Sequence, residues 1–205
     1  MAGTILPIVY GDRQSEKAPA ALWFHLLGSI LGAAALGGLL GTIGLALGWR
    51  ALALKHGVIV LLVAGTVSLL YSTRELGLLA VPVVQCRRQV PQQWRVTMSP
   101  HLCSLLYGLG LGFGVGTRIA VSTFYPAAIW AMLVADPALS AIGMAAFGLG
   151  RVLPLLVLAG LLKNKDESIL FTEALHDYKP LVHFVNGLVL STAGACLIML
   201  GWLSH

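Results

Sequence analysis

From Ala20 to Gly48 the chain carries no lysine, arginine, aspartate or glutamate. A helix of about 20 apolar residues crosses the hydrocarbon core of a bilayer. Four more apolar stretches follow, from about Gly57 to Val83, Leu102 to Ala135, Ala138 to Leu162 and Leu181 to Leu203. Soluble domains carry about 25% charged residues, whereas this one carries 10% and is 58% hydrophobic. Such a chain cannot clothe a globule in polar surface. The fold class expected is therefore all-α: a polytopic transmembrane helix bundle of about five spans, in which residues 20–205 form a single domain.

The stretch from Leu102 to Ala135 is too long for one straight helix, so a broken third span is expected. Polar connections lie at Trp49–His56, Gln85–His101, Asp136–Pro137 and Lys163–Pro180. Within the last of these, Ile169, Leu170, Phe171 and Leu175 fit either a short surface helix or a solvated connection. Arg87, Arg88 and Arg95 sit in one connection, Lys163, Lys165 and Lys179 in another, and Arg13 and Lys17 precede the first span. Lys and Arg resist translocation, so these segments are expected inside. The cell (inner or plasma) membrane then holds the chain with its N-terminus cytoplasmic and its C-terminus outside. Trp49, Trp94 and Trp202 lie near span ends, where amphipathic rings favour the headgroups. The net charge of +5 reports topology and does not point to nucleic acid. The first twenty residues have a short apolar run followed by charges, the wrong order for a cleavable signal.

Glycine spacing gives the next level of detail. In GLGLGFGVGTRI, Gly108, Gly112 and Gly116 fall on one helix face, and Gly110 and Gly114 on a nearly opposite one. Small residues let membrane helices approach closely, so both rows are expected to pack against neighbours. The pairs Gly28/Gly32, Gly37/Gly41 and Gly44/Gly48 in the first span share the spacing.

Thr117, Arg118, Ser122, Thr123 and Pro126 follow the glycines. A charge at mid-bilayer costs at least about 2.5–3.5 kcal/mol on insertion scales, so it faces protein or water. Proline commonly kinks or ends a helix. TRIAVSTFYP is expected to be the discontinuity, and Pro154, after Arg151, a second interruption. Glu75 is the acidic residue inside a span, and Arg74 beside it can snorkel. A bridge from Glu75 to Arg118 or Arg151 is expected, leaving excess positive charge that could attract an anion or a lipid headgroup. The candidate intramembrane polar site is thus Arg118, Thr117, Ser122, Thr123, Glu75 and Arg151. Cys86, Cys103 and Cys196 form no CxxC pair, and no cofactor, metal site or enzymatic activity is expected.

Four stretches together resemble the membrane domain of the cytochrome c biogenesis protein CcdA and of DsbD. YGLGLGFGVGTRIAVSTFYPAAIWAML looks like that family's fourth helix, and ALSAIGMAAFGLGRVLPLLVLAGLL like its fifth. TILPIVYG looks like the end of its first helix, and ALWFHLLGSILGAAALGGLLG like its second. The resemblance implies inverted three-helix repeats, with residues 1–19 the end of a lost first helix. It also implies Pro–Cys pairs at both breaks, yet Thr117–Arg118–Ile119 stands at the second. Thiol exchange needs a thiolate, so redox chemistry is not expected. Three functions remain open: a non-catalytic accessory or assembly subunit of a membrane complex, with other membrane subunits and the lipid bilayer as partners; a small-anion transporter using the break around Arg118; and a thiol–disulfide electron carrier.

Overall fold

The computed structural model describes residues 18–83, 97–114, 122–161 and 177–204. Among them every regular element is a helix: α1 (Ala18–Ala46), α2 (Trp49–Lys55), α3 (Gly57–Glu75), α4 (Pro100–Phe113), α5 (Phe124–Val134), α6 (Pro137–Leu161) and α7 (Lys179–Leu203). Four stretches are long and apolar enough to cross a membrane: Ala20–Ala46, Gly57–Glu75, Pro137–Pro154 and Lys179–Leu203. The third expected span is indeed divided, into α4 of 14 residues and α5 of 11. At about 1.5 Å per residue neither alone crosses a core about 30 Å thick.

Burial runs in the sense a bilayer demands. Large apolar side chains point outward, Trp202 with 76% of its surface exposed and Leu54 with 81%, while Ser29, Ser122 and Ser140 are fully buried. Lipid is as apolar as leucine, so helices gain by close backbone approach and hydrogen bonding instead. The chain is a helical membrane protein.

Local chemistry sets the helix ends. Ser99 caps α4, accepting from the Leu102 amide at 3.4 Å, and Pro100 takes the first turn, where no amide partner is needed. Gly114 ends α4 in the left-handed region at φ 73°. It is therefore a C-terminal cap and not a member of a second packing row. Pro126 lies in the first turn of α5 and is part of that helix's start. Pro154 also corrects an expectation: α6 continues through it to Leu161. Asp136 caps α6, its Oδ1 accepting from the amides of Ala138 and Leu139, both at 3.0 Å.

The chain divides into two compact units. The first comprises Met1–Ala34, Cys86–Arg118 and Ala145–Tyr178. Here Gly28 and Gly32 of α1 face the backbone of Leu105 and Leu109 on α4, and Gly108 and Gly112 reciprocate against His25, Ser29 and Ala33. Gly148 of α6 sits on the same stretch of α1, and the Ser29 hydroxyl donates to its carbonyl at 3.1 Å. Leu26, Leu111 and Val152 form the apolar centre.

The second unit comprises Ala35–Gln85, Ile119–Met144 and Lys179–His205. Gly65 and Gly194 bring α3 and α7 backbone to backbone, each lying against the other's carbonyl. The Ser72 hydroxyl donates to Gly187 O at 2.8 Å, tying the same two helices. Gly37 and Gly41 lie against Ser140, and Gly44 against Met132. Gly48, the last of that spacing, is a left-handed turn at φ 76° between α1 and α2.

Candidate functional site

Glu75 is the last residue of α3, and the chain there is made to stop sharply. Gly77 at φ 74° donates to Arg74 O, and Leu78 donates to Thr73 O. These are the paired bonds of a Schellman ending. They fix Glu75 at the edge of a span, facing α5 and α7 of the second unit.

The Glu75 side chain is fully buried, and each carboxylate oxygen has its own partners. Oε1 accepts from the Ser122 amide at 2.8 Å and lies 3.6 Å from a guanidinium nitrogen of Arg74. Oε2 accepts from His183 Nδ1 at 2.6 Å. Arg74 is held in turn, its Nη1 donating to Ser122 Oγ at 2.6 Å and its Nε to Val81 O at 3.1 Å. Beside this knot Thr123 Oγ1 donates to Asn186 Oδ1 at 2.8 Å, and Tyr71 stacks on Tyr125 with centroids 5.0 Å apart. A buried carboxylate is tolerable when opposite charge and hydrogen bonds surround it. Chemically the knot ties α3 to α7 and to the turn that opens α5, through hydrogen bonds to a single carboxylate.

Of the residues singled out from sequence, the structure brings Glu75 and Ser122 into direct contact and sets Thr123 beside them. Glu75 takes Arg74 as a charged partner and His183 as a hydrogen-bond partner, while the expected bridge to Arg118 falls outside the described residues. Arg151 lies in the first unit and donates from Nη1 to Leu111 O at 3.2 Å. Gly116, Thr117 and Arg118 lie outside the described residues, as do residues 1–17, Cys86 and the segment 162–176 that includes the proposed surface helix. Cys103 is buried on α4, and Cys196 is exposed on α7. Sequence reasoning missed His183 and Asn186. The signal was there in HFVN: two polar side chains three apart in an otherwise apolar stretch share a helix face.

Fold and site together define a class: a multi-span helical membrane protein whose polar core is a carboxylate–imidazole–guanidinium knot at one end of its spans. The chain is similar to the "Methylamine utilization protein MauF" of Paracoccus versutus, 34% identical over 176 residues, 86% of this chain and 62% of that protein. It is likewise similar to the proteins so described from Paracoccus denitrificans, 38% identical over 133 residues (65% of this chain, 47% of that protein), and Methylorubrum extorquens, 32% over 148 residues (72% and 50%). The chain thus spans about half to three-fifths of the length of the curated relatives it matches. No family model matches, and no solved structure matches.

These relatives overturn the resemblance to CcdA and DsbD. All three carry the methylamine utilization description, and none is a cytochrome c biogenesis or thiol reductase protein. The resemblance rested on glycine rows, small residues and prolines, which any closely packed membrane helix pair uses. The functions drawn from sequence are corrected with it: the accessory subunit on a CcdA-like scaffold, the anion transporter built around Arg118, and the thiol–disulfide carrier.

Proposed function

We propose that this chain serves methylamine utilization as an integral membrane component. The observation that carries the reading is the likeness to the Paracoccus versutus protein over 86% of this chain. Its partners, in this reading, are other proteins of that process, met at the membrane. The Glu75 knot supports a role in presenting a rigid membrane scaffold, because its hydrogen bonds tie α3 to α7 and to the turn that opens α5. The test is growth. Deleting the gene in its own host should abolish growth on methylamine while leaving growth on succinate intact, and the intact gene supplied in trans should restore it. Unimpaired growth of the deletion strain on methylamine would overturn the proposal.

The orientation proposed is N-terminus inside and C-terminus outside, supported by the eight basic residues of the N-terminal segment and the two basic connections. A periplasmically active reporter enzyme fused behind Leu203 should be active, and one fused at Lys165 inactive. The reverse pattern would invert the assignment.

A further inference from the structure

We propose that the first unit holds a phosphate-type oxyanion between Arg151 and His25. Arg151 Nη1 donates to Leu111 O at 3.2 Å, while its Nη2 is buried and has no partner among the described residues. A carbonyl supplies a dipole and no charge, so among the described residues nothing Arg151 bonds to neutralises its guanidinium. The acidic side chain among the described residues of this unit is Asp177, which is exposed and lies beyond the segment 162–176. A cation inside a span demands a counter-charge.

His25 supplies the second observation. It is 1% exposed, its Nδ1 lies 3.2 Å from Ser104 O, and its Nε2 is buried without a partner. A ring nitrogen facing a carbonyl must carry its hydrogen, so Nδ1 donates and Nε2 is left to face the unit's interior. The two unpaired atoms belong to one neighbourhood. Leu26, beside His25, and Val152, beside Arg151, pack in a single cluster with Leu111, whose carbonyl receives Arg151. One turn along α1 and α6, the Ser29 hydroxyl meets Gly148 O.

The ligand must therefore accept from Arg151 Nη2. It must also either give a hydroxyl hydrogen to neutral His25 Nε2 or accept from it when the imidazole is protonated. Phosphate and phosphate monoesters do both, whereas a halide offers no donor. A lipid phosphate and a soluble one are both sources of this chemistry.

The test is thermal unfolding of the purified protein in detergent, with inorganic phosphate titrated against chloride at constant ionic strength. At about 100-fold above its Kd, phosphate should raise the Tm by about 5 °C. Arg151→Lys keeps the charge but loses the planar fork that addresses Leu111 O and the anion from separate nitrogens, so it should diminish the rise, whereas Arg151→Gln, which loses the charge, and His25→Leu should abolish it. Micelles doped with phosphatidic acid, against phosphatidylcholine alone, form the second arm. A response to phosphatidic acid without one to inorganic phosphate assigns the site to lipid, and a response to inorganic phosphate assigns it to the soluble anion. Equal Tm in phosphate, chloride and phosphatidic acid overturns the proposal, and so does an undiminished response in Arg151→Lys. Neither result depends on methylamine growth, so this inference and the proposed function can fail separately.

Discussion

Gly108→Ala is expected to destabilise the protein by about 2 kcal/mol, although alanine is the better helix former. A Cβ at Gly108 would fall on His25 O and within 2.9 Å of the Ser29 amide nitrogen. Both are backbone atoms of α1, so no side chain can rotate away. The helices must part instead, and overpacking of this kind costs about 1–3 kcal/mol, here at its upper end. The helix-propensity gain of about 1 kcal/mol offsets only part of that. Gly112→Ala meets the same obstacle, with Ala33 N 2.6 Å from the new carbon. The double variant should fall short of the sum, because the first methyl already separates the pair. Gly150→Ala is the control: its Cβ would meet nothing within 4 Å, so the propensity gain should appear undiminished. Thermal unfolding in detergent and the monodisperse fraction on size exclusion check both. A Gly108→Ala protein as stable as Gly150→Ala would remove the close-contact account of α1 and α4.

The rows Gly28/Gly32 and Gly108/Gly112 could be read from sequence because a Cβ-free stripe at i, i+4 is a property of one helix alone. Gly114 and Gly48 extend the same spacing yet serve as left-handed turns. Nothing local distinguishes a glycine that packs from one that lets the chain reverse. Pro154 shows the converse. Inside a helix proline removes one hydrogen bond, but whether the helix breaks depends on the neighbours that meet the freed carbonyl. The division of the third span was legible from its length, and Ser99, Pro100 and Gly114 mark the limits of α4 in type as well as position.

The polar site was half legible. Glu75 and Ser122 stand out as polar residues in apolar surroundings, and an intramembrane carboxylate announces that it needs a partner. Which partner is a question of tertiary placement. Arginines drew attention because they are charged at any pH, whereas His183 is 108 positions from Glu75 and becomes a partner only once α3 and α7 lie together. The Gly65–Gly194 contact and the Ser72–Gly187 bond create that proximity. Packing motifs thus decide the electrostatics, and the backbone approach must be known before the ion pair can be assigned.

Glu75→Ala is expected to have the largest effect of any single change in the second unit, about 3–5 kcal/mol. It strands two donors, the Ser122 amide and the His183 imidazole, and takes the counter-charge from the Arg74 guanidinium. Glu75→Gln keeps an acceptor for the Ser122 amide but loses the charge. It should cost about 2 kcal/mol, the difference between charged and neutral hydrogen bonds summed over the remaining contacts. Ser122→Ala should cost about 1 kcal/mol, because it removes only the hydroxyl that receives Arg74 and leaves the amide in place. Losses that fall from Glu75→Ala through Glu75→Gln to Ser122→Ala are the signature of a carboxylate hub. A Ser122→Ala protein as unstable as Glu75→Ala would shift the hub to the hydroxyl. A double-mutant cycle joining Glu75→Ala to His183→Ala isolates the 2.6 Å contact, with a coupling of about 1–3 kcal/mol expected for partners in one buried network. Strictly additive losses would mean that the imidazole merely lies near the carboxylate and contributes nothing to holding it.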